Sequence, residues 1–583
     1  MMSSAVTATK NWLNARTDTE QLQLLMLLAL VLICAGLGLR DPWPADEPRF
    51  ALIAKEMVES GDWFFPRRAG EYYADKPPIF LWCIAFWYQI TGSLNLAFLL
   101  PSALAAMFTL YLVVDLGRKL WNSQTGLIAG LLLVFSLQFM LQAKTAQIDA
   151  LVCGWITLGC YGLLRFMLID GNWRWYYLAW AAMGFGVITK GVGFLPALML
   201  VPYLLYRTVG QQAAVHSAQR LNLWRWLAGP VVMLLAICCW FVPMWWFVEH
   251  SQDPQLLAYR DNILWHQTVT RYANSWHHLK PFWYYLVSVI PVFWLPLSLA
   301  LPWLVPRWTL ALKQWDGRVL LPLGWILLLL LFFSLSPGKR GVYIFPALPM
   351  LALIAAPYTK EVLAKRKFTG LLAALTALIA LALAVSGLAG LAGLHAMQKL
   401  ADKFDVAPWS FLAVLGGAGL VLLALSYRRR RWLSWPLFVS TLWLLYSFWG
   451  YPMLEGVKTP KHILSSLAQQ VRPGTEVVLV DFAEQFVLFS PFPITHFGFN
   501  TPNDQQLWAA YQWQSSHPEA VVLLNFSLLD GQCYDPDKAV HLGFAHRADW
   551  VMLDTESRRA QCPAPAELPV FHYKAAGAEP GAH

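Results

Sequence analysis

Residues 22–39, LQLLMLLALVLICAGLGL, form an almost uninterrupted apolar run near the start of the chain. A helix of this length is long enough to cross the hydrocarbon core of a bilayer. No clear small-residue cleavage site follows the run, so no cleavable signal peptide is evident. The run is therefore predicted to be the first membrane span of the protein.

Similar runs recur along the chain, and we predict about thirteen spanning helices. The other runs are 97–116, 126–142, 147–165, 176–189, 192–206, 227–248, 282–304, 319–335, 341–358, 368–394, 409–426 and 432–451. Of the 583 residues, 57% are hydrophobic and only 13% are charged. A soluble domain has about 25% charged residues, so the composition places most of this chain in lipid. The expected fold class is a mainly α, polytopic membrane protein.

Short clusters of Lys and Arg between the runs indicate the orientation. If the N-terminus, with Lys10 and Arg16, lies in the cytoplasm, every cluster falls on the cytoplasmic side. These clusters are Arg118 and Lys119; Arg165 and Arg174; Arg207, Arg220 and Arg225; Arg307, Lys313 and Arg318; Lys360, Lys365, Arg366 and Lys367; and Arg428 to Arg431. Their scatter explains the net charge of +9 better than a nucleic-acid-binding face does. We therefore expect a multi-pass protein of the bacterial inner membrane with a periplasmic C-terminus.

Four segments then lie outside. They are 40–95, 249–281, the turn 336–341 and the tail from about Tyr451. The first is too long for a simple connector. The tail predicts a periplasmic α/β domain, 456–583, after a transmembrane catalytic domain, 1–455. Its predicted elements are helices near 460–470 and 503–515 and strands 476–480, 520–526 and 550–553.

The tail also holds Cys533 and Cys562, which are the two cysteines predicted to be exported. An oxidising compartment would let them pair. The sequence has neither a CxxC pair nor a zinc-ligand spacing, which argues against a structural metal.

The first outer segment contains Asp46-Glu47-Pro48-Arg49-Phe50, which opens a helical run through Glu59. Asp46 stands where an N-cap belongs, and local sequence favours that capping role. Apolar residues share one face of this helix, so we expect the helix to lie in the membrane interface. The aromatic-rich run 79–90 is too short to span and is placed there too.

Seven motifs in order resemble the bacterial GT-C transferases related to protein mannosyltransferases. They are Asp46-Glu47-Pro48-Arg49, Gly61-Asp62-Trp63, Asp75-Lys76-Pro77-Pro78, Ala146-Gln147-Ile148-Asp149-Ala150, Thr189-Lys190-Gly191, Pro281-Phe282-Trp283-Tyr284-Tyr285, and Ser336-x-x-Lys339-Arg340-x-x-Tyr343-x-x-Pro346-x-x-Pro349. Within that group the chain resembles the lipid A aminoarabinose transferases. The resemblance covers about residues 20–350.

The resemblance implies a reaction and a set of partners. A sugar, 4-amino-4-deoxy-L-arabinose, would move from undecaprenyl phosphate to lipid A phosphate with inversion. Such lipopolysaccharide modification is associated with polymyxin resistance. The protein is expected to act as a monomer and to require no cofactor.

The resemblance also implies site residues. Asp46 is similar to the family's catalytic carboxylate, and Asp149 would lie at the floor of the active site or cap its helix. Cations must meet the charge that develops on the departing lipid phosphate. The candidates for substrate binding are Lys76, Arg271, Tyr343, Lys339, Arg340 and Tyr73.

Each role has a simpler alternative. Lys76 and Arg271 could be interfacial cations that contact phospholipid, and Tyr343 could belong to an aromatic belt. Asp75 and His266 could bind a divalent metal ion together, although His266 also suits an ordinary surface histidine.

Two other functions stay open. One is the same chemistry with a protein or another glycan as acceptor. The other is a lipid flippase or transporter, which would place ionisable residues in the middle of the membrane. The predicted spans are almost free of charge, and the polar residues concentrate in the outer segments, which favours an enzyme.

Overall fold

The computed structural model describes residues 17–209, 223–264, 279–427, 430–529 and 531–574. Helices make up nearly all of the described membrane part. Their bounds are Asp18–Cys34, Glu47–Ser60, Ile79–Thr91, Leu94–Ala97, Leu100–Leu120, Ser123–Val134, Leu137–Ala143, Ile148–Leu164, Arg165–Ile169, Trp173–Lys190, Leu195–Met199, Leu200–Val209, Leu223–Ser251, Pro254–Asp261, Tyr285–Val289, Ile290–Phe293, Leu297–Lys313, Gly317–Leu335, Gly341–Ile344, Ala347–Ala355, Ala356–Tyr358, Thr359–Ala364, Arg366–Leu391, His395–Phe404, Trp409–Tyr427, Arg431–Leu433, Ser434–Leu445, Tyr446–Gly450 and Tyr451–Lys458.

All thirteen predicted spans contain helix, but they are not alike. In the described residues, eight helices are long and apolar enough to cross a membrane, and two further pairs qualify if each bent pair counts as one span. The pairs bend by 71° near residue 135 and by 108° near residue 295. The remaining three predicted spans are the helix Asp18–Cys34, the helix Trp173–Lys190 and the helical stretch 195–209. The protein is a multi-pass membrane protein.

Small residues let some of these helices approach closely. A Cβ atom added at Gly126 would lie 2.4 Å from the carbonyl oxygen of Val114. The helices Leu100–Leu120 and Ser123–Val134 therefore pack backbone against backbone, as is common for small residues between membrane helices.

The first outer segment folds onto the protein. It contains the helix Glu47–Ser60, here called the loop helix, a hairpin of strands β1 (Arg67–Arg68) and β2 (Glu71–Tyr72), and the helix Ile79–Thr91. The apolar face of the loop helix is buried, and the Phe50 ring lies 5.3 Å from the Phe80 ring. This face contacts the helix Ile79–Thr91 and the C-terminal domain, so protein packing accounts for its apolar character. The location of the helix in the membrane interface stays a prediction.

The tail forms the predicted α/β domain. Its described strands, β3 (Val477–Leu479), β4 (Ile494–His496), β5 (Val521–Asn525), β6 (Val540–Ala545), β7 (Ala548–Leu553) and β8 (Phe571–Tyr573), form one sheet in the order β6-β7-β5-β3-β4-β8. Strand β3 is parallel to β4 and β5, and the other pairs are antiparallel. Its helices are Lys461–Ala468, Glu484–Phe489 and Asn503–Ser516, with short 3₁₀ turns at Phe526–Leu528, Pro536–Lys538 and Thr555–Ser557. The helix Tyr451–Lys458 precedes the first helix of this domain, Lys461–Ala468; the boundary at 455/456 stays a prediction.

The predicted disulfide is confirmed. Cys533 and Cys562 are bonded, and the bridge closes a segment of the C-terminal domain across 29 residues. Cys533 is fully buried beside Tyr534 in the second hydrophobic core of this domain.

Replacing Cys533 and Cys562 by serine is expected to destabilise the domain by about 2–5 kcal/mol, because the bridge restricts the unfolded chain. Thermal unfolding of the detergent-solubilised full-length protein measures this loss. The matched control is Cys239→Ser, since Cys239 is an exposed free cysteine of the membrane part. An unchanged melting temperature in the double variant would contradict the stabilising role.

Candidate active site

The Asp46 side chain forms an ion pair across the chain and does not cap its helix. Its Oδ2 atom accepts a hydrogen bond from Nη2 of Arg340 at 3.1 Å. The residue has helical backbone angles, and its carboxylate makes no capping hydrogen bond with the loop helix. The prediction from local sequence that Asp46 caps the helix is therefore wrong. Its carboxylate instead faces the cation of Arg340, in the outer turn 336–341.

Arg340 is held in place by the turn around it. The next residue, Gly341, accepts a hydrogen bond from Nε2 of Gln138 at 3.0 Å, and Gln138 in turn accepts one from Nε1 of Trp294. Burial alone would lower the pKa of Arg340, but the carboxylates of Asp46 and Asp149 outweigh burial and raise it. The guanidinium is thus a fixed cation between two carboxylates.

Asp149 begins the helix Ile148–Leu164 and pairs with a second cation. Its Oδ1 atom accepts a hydrogen bond from Nζ of Lys190, at the end of the helix Trp173–Lys190. Lys190 also lies 5.0 Å from the centre of the Tyr343 ring. The structure therefore brings together four residues of this cluster, Asp46, Arg340, Asp149 and Lys190, with Tyr343 beside them.

The buried ion pair between Arg40 and Glu47 helps to fix the segment that carries Asp46 relative to the segment that carries Asp149. Both carboxylate oxygens of Glu47 accept hydrogen bonds from Arg40, at 2.5 and 2.7 Å. Glu47 also accepts a hydrogen bond from the backbone amide of Ala146. Since Glu47 follows Asp46 and Ala146 precedes Asp149 by three residues, this contact sets the distance between the two segments.

An apolar groove of about 550 Å³ lies between helices of the membrane part. The aromatic and aliphatic side chains that line it come from four helices and include Ile79, Trp82, Trp155, Ile188 and Trp240. Two of these helices, Ile148–Leu164 and Trp173–Lys190, also carry Asp149 and Lys190.

Lys76 lies half-buried just before the helix Ile79–Thr91. Its Nζ atom donates a hydrogen bond to the carbonyl oxygen of Asp75 at 2.9 Å. Asp75 is also half-buried. The lysine thus precedes the helix that contributes Ile79 and Trp82 to the groove.

Two predicted binding residues lie apart from the cluster. The ammonium of Lys339 is buried and donates hydrogen bonds to the carbonyl oxygens of Ser336 and Lys280, so it ties two outer segments together. Tyr73 is buried, and its ring lies 5.7 Å from the guanidinium of Arg68.

Arg271 and His266 lie outside the described residues. The predicted divalent metal at Asp75 and His266 therefore stays a prediction. Among the described residues, no group of three or more His, Cys, Asp or Glu side chains is arranged to hold a metal ion.

Sequence reasoning assigned no role to three charged residues, Lys190, Arg49 and Glu484. Lys190 and Arg49 belong to motifs that carry the family resemblance, but the sequence indicates no function for either side chain. Glu484, in the C-terminal domain, accepts a hydrogen bond from Nε of Arg49 at 2.6 Å. A buried carboxylate predicts a cationic partner, but the sequence does not say which one.

Comparison with known proteins identifies relatives. Residues 75–246 match the family described as dolichyl-phosphate-mannose-protein mannosyltransferase. Undecaprenyl phosphate-alpha-4-amino-4-deoxy-L-arabinose arabinosyl transferase 1 of Pseudomonas fluorescens is 32% identical over 59% of this chain and 62% of its own length. The transferase of the same description from Aeromonas salmonicida is 30% identical over 59% of this chain and 60% of its own length. The match thus spans about six tenths of these relatives.

Solved structures share the fold over nearly the whole chain. The crystal structure of ArnT from Cupriavidus metallidurans bound to undecaprenyl phosphate aligns with a TM-score of 0.69 at 21% identity, and covers 94% of this chain and 100% of that one. The apo structure of the same protein aligns with a TM-score of 0.68. The family resemblance and the predicted fold class are confirmed.

Proposed function

We propose that the protein is an integral-membrane glycosyltransferase that moves 4-amino-4-deoxy-L-arabinose from undecaprenyl phosphate to a phosphate of lipid A. The observation that carries this proposal is the pairing of Asp46 with Arg340 and of Asp149 with Lys190, together with an apolar groove lined in part by the two helices that carry Asp149 and Lys190. A polyprenyl phosphate has both features that such a site recognises, an anionic head and a long apolar chain. The names of the similar transferases support the same donor.

The charge balance of the site suits an anionic donor. Arg340 pairs with Asp46, Lys190 pairs with Asp149, and Arg49 lies 3.9 Å from Asp46. We assign Lys76 as a further cation for the donor phosphate. When the glycosidic bond breaks, its electron pair goes to the phosphate oxygen of the leaving lipid. Fixed cations stabilise that developing charge because they need no reorganisation at the moment of reaction.

The role of Asp46 depends on the acceptor. A phosphomonoester has a second pKa of about 6, so a lipid A phosphate is already anionic near neutral pH. Its oxygen attacks the anomeric carbon as the bond to the donor phosphate breaks, with inversion and without proton removal. Asp46 then orients the sugar or pairs with its amine. A hydroxyl acceptor would instead need Asp46 as general base.

A reconstituted assay tests the proposal. The purified protein in lipid nanodiscs receives undecaprenyl phosphate–aminoarabinose and lipid A, and mass spectrometry follows the mass of lipid A. The addition of one aminoarabinose is the expected result. Unmodified lipid A, with transfer to a protein or another glycan instead, would move the proposal to the alternative acceptor.

A flippase is the other alternative. It would translocate the lipid-linked sugar without breaking its glycosidic bond, so it would release no undecaprenyl phosphate. The position of both ion pairs at helix ends and turns, and not at mid-helix, favours a transferase.

The site is proposed to face the periplasm from the inner membrane. The C-terminal domain and the first outer segment lie on the same side, because Nε2 of His496 and the carbonyl oxygen of Ala69 are 2.9 Å apart. The Lys and Arg clusters favour the opposite side as cytoplasm.

A C-terminal alkaline phosphatase fusion is therefore expected to be active, since this reporter folds only after export. A green fluorescent protein fusion at the same end is the matched control and is expected to be dark. The reverse result would contradict the topology and leave the domain in the cytoplasm.

A further inference from the structure

A continuous line of charged side chains joins the active-site cluster to the C-terminal domain. Asp46 lies between Arg340, at 3.1 Å, and Nη1 of Arg49, at 3.9 Å. Arg49 donates from Nε to Glu484 at 2.6 Å, and the same Glu484 oxygen lies 3.6 Å from Nη1 of Arg68. The C-terminal domain thus supplies one carboxylate to a network that contains the candidate catalytic residue.

The Glu484 carboxylate is buried, so the loss of its charge is expected to have a large effect on the residues around it. The Glu484 side chain is only 6% exposed, while that of Asp46 is 19% exposed. The guanidinium of Arg68 stacks on the ring of Phe499 at 3.8 Å, and Arg49 lies 5.6 Å from the same ring. Removing one partner from a buried ion pair leaves an uncompensated charge. If Glu484 loses its charge, the guanidinium of Arg49 is expected to turn toward another carboxylate.

The next available partner for Arg49 is Asp46. The two residues are one helical turn apart on the loop helix, so their side chains are within reach of one another. An arginine fork that pairs with both carboxylate oxygens forms a strong interaction. In the structure, the hydrogen bond from Arg49 to Glu484 holds the Arg49 guanidinium 3.9 Å from Asp46. The hydrogen bond to Asp46 comes from Arg340 instead.

We propose that Glu484 is a positioning residue of the active site: by holding Arg49, it keeps the Asp46 carboxylate paired with Arg340 and open to substrate. This inference rests on the proposed function and deepens it. It also gives the C-terminal domain a role, because the domain must be docked on the first outer segment for Glu484 to reach Arg49. The contact between His496 and Ala69 and the hydrogen bond from the amide of Phe499 to Glu71 maintain that docking.

Kinetics of the full-length protein in nanodiscs test the inference. Glu484→Gln is expected to lower kcat by at least about 10-fold with little change in the KM for the donor, since the Glu484 side chain is buried and acts through Arg49. Glu484→Asp keeps the charge and is expected to retain more activity than Glu484→Gln. The matched control is Glu519→Gln, an exposed carboxylate of the same domain, which is expected to behave as wild type.

A double variant separates positioning from simple docking. If Arg49 captures Asp46, then Glu484→Gln with Arg49→Gln is expected to be more active than Glu484→Gln alone, because the competing cation is gone. If Glu484 only docks the domain, the second substitution removes another docking contact and activity falls further. A double variant no more active than Glu484→Gln would overturn the inference.

A structure of the Glu484→Gln protein by electron cryomicroscopy gives a readout that does not depend on turnover. Arg49 is expected to turn toward Asp46 and close the 3.9 Å gap. An unmoved Arg49 would overturn the inference, even if the wild type proves inactive with a polyprenyl-phosphate donor. Inactivity of the wild type would count against the proposed function alone.

Discussion

Lys76→Ala is expected to lower turnover by about 10²–10³-fold, the usual cost of removing one electrostatic stabiliser from a water-excluded site. The lysine lies half-buried just before the helix Ile79–Thr91, which contributes Ile79 and Trp82 to the apolar groove. We expect its ammonium to meet the donor phosphate, whose charge rises toward the transition state. Initial rates with undecaprenyl phosphate–aminoarabinose measure the effect.

Two further variants sharpen this test. Lys76→Arg is expected to recover activity only in part, because a planar guanidinium does not replace a compact ammonium. Lys280→Ala is the matched control, since Lys280 is an exposed lysine of another outer segment. If Lys76→Ala and Lys280→Ala have the same small effect, Lys76 is an ordinary interfacial cation that contacts phospholipid.

Asp46→Asn is expected to abolish transfer while the protein stays folded and inserted. A general base contributes about 10²–10⁴-fold to a rate, which sets the scale of the loss if the acceptor is a hydroxyl. Asparagine keeps the size of the side chain, and Asp46 makes no capping hydrogen bond that the substitution could remove. The substitution therefore removes the charge that faces Arg340 and little else.

The control for this variant is Asp62→Asn in the same outer segment. The Asp62 carboxylate accepts hydrogen bonds from the amides of Phe64 and Phe65, which is an ordinary turn contact that an amide oxygen can also make. It is expected to keep wild-type turnover. Wild-type turnover in Asp46→Asn would remove the central residue from the proposed mechanism.

The kind of acceptor decides how Asp46 acts, and comparing two acceptors in one assay addresses this point. With a lipid A phosphate the acceptor is already anionic, so loss of Asp46 would act through misplacement of the sugar. With a hydroxyl acceptor the loss would act through proton removal. The ion pair with Arg340 is compatible with both roles, because it fixes the carboxylate without blocking its second oxygen.

Much of the fold is local information, and the sequence alone determined it. Most of the apolar runs are long enough to require a helix in lipid, because an unpaired backbone amide or carbonyl is too costly there. Three strands of the tail follow in the same way from short runs such as Val477–Leu479, whereas local sequence did not reveal β4, β6 and β8. The cysteine pair follows from the expected compartment, since Cys533 and Cys562 are the two cysteines in the domain predicted to be exported.

The partners of the charged residues were decided by tertiary structure. Arg340 reaches Asp46 across 294 residues, and Arg49 reaches Glu484 across 435. Lys339 and Arg340 are neighbours in the sequence, but their side chains have different partners. The backbone at Arg340 is extended, with φ −117° and ψ 144°, and successive side chains of an extended chain point to opposite sides.

Lys339 therefore bonds to backbone carbonyls, while Arg340 faces the carboxylate of Asp46. The same limit applies to Asp46, whose local sequence favours a cap and whose folded partner is a distant cation. Periodicity shows which side of a helix is apolar, but burial of an ion pair depends on which segments meet. Which segments come into contact depends on the packing of the whole chain, so only the three-dimensional structure shows it.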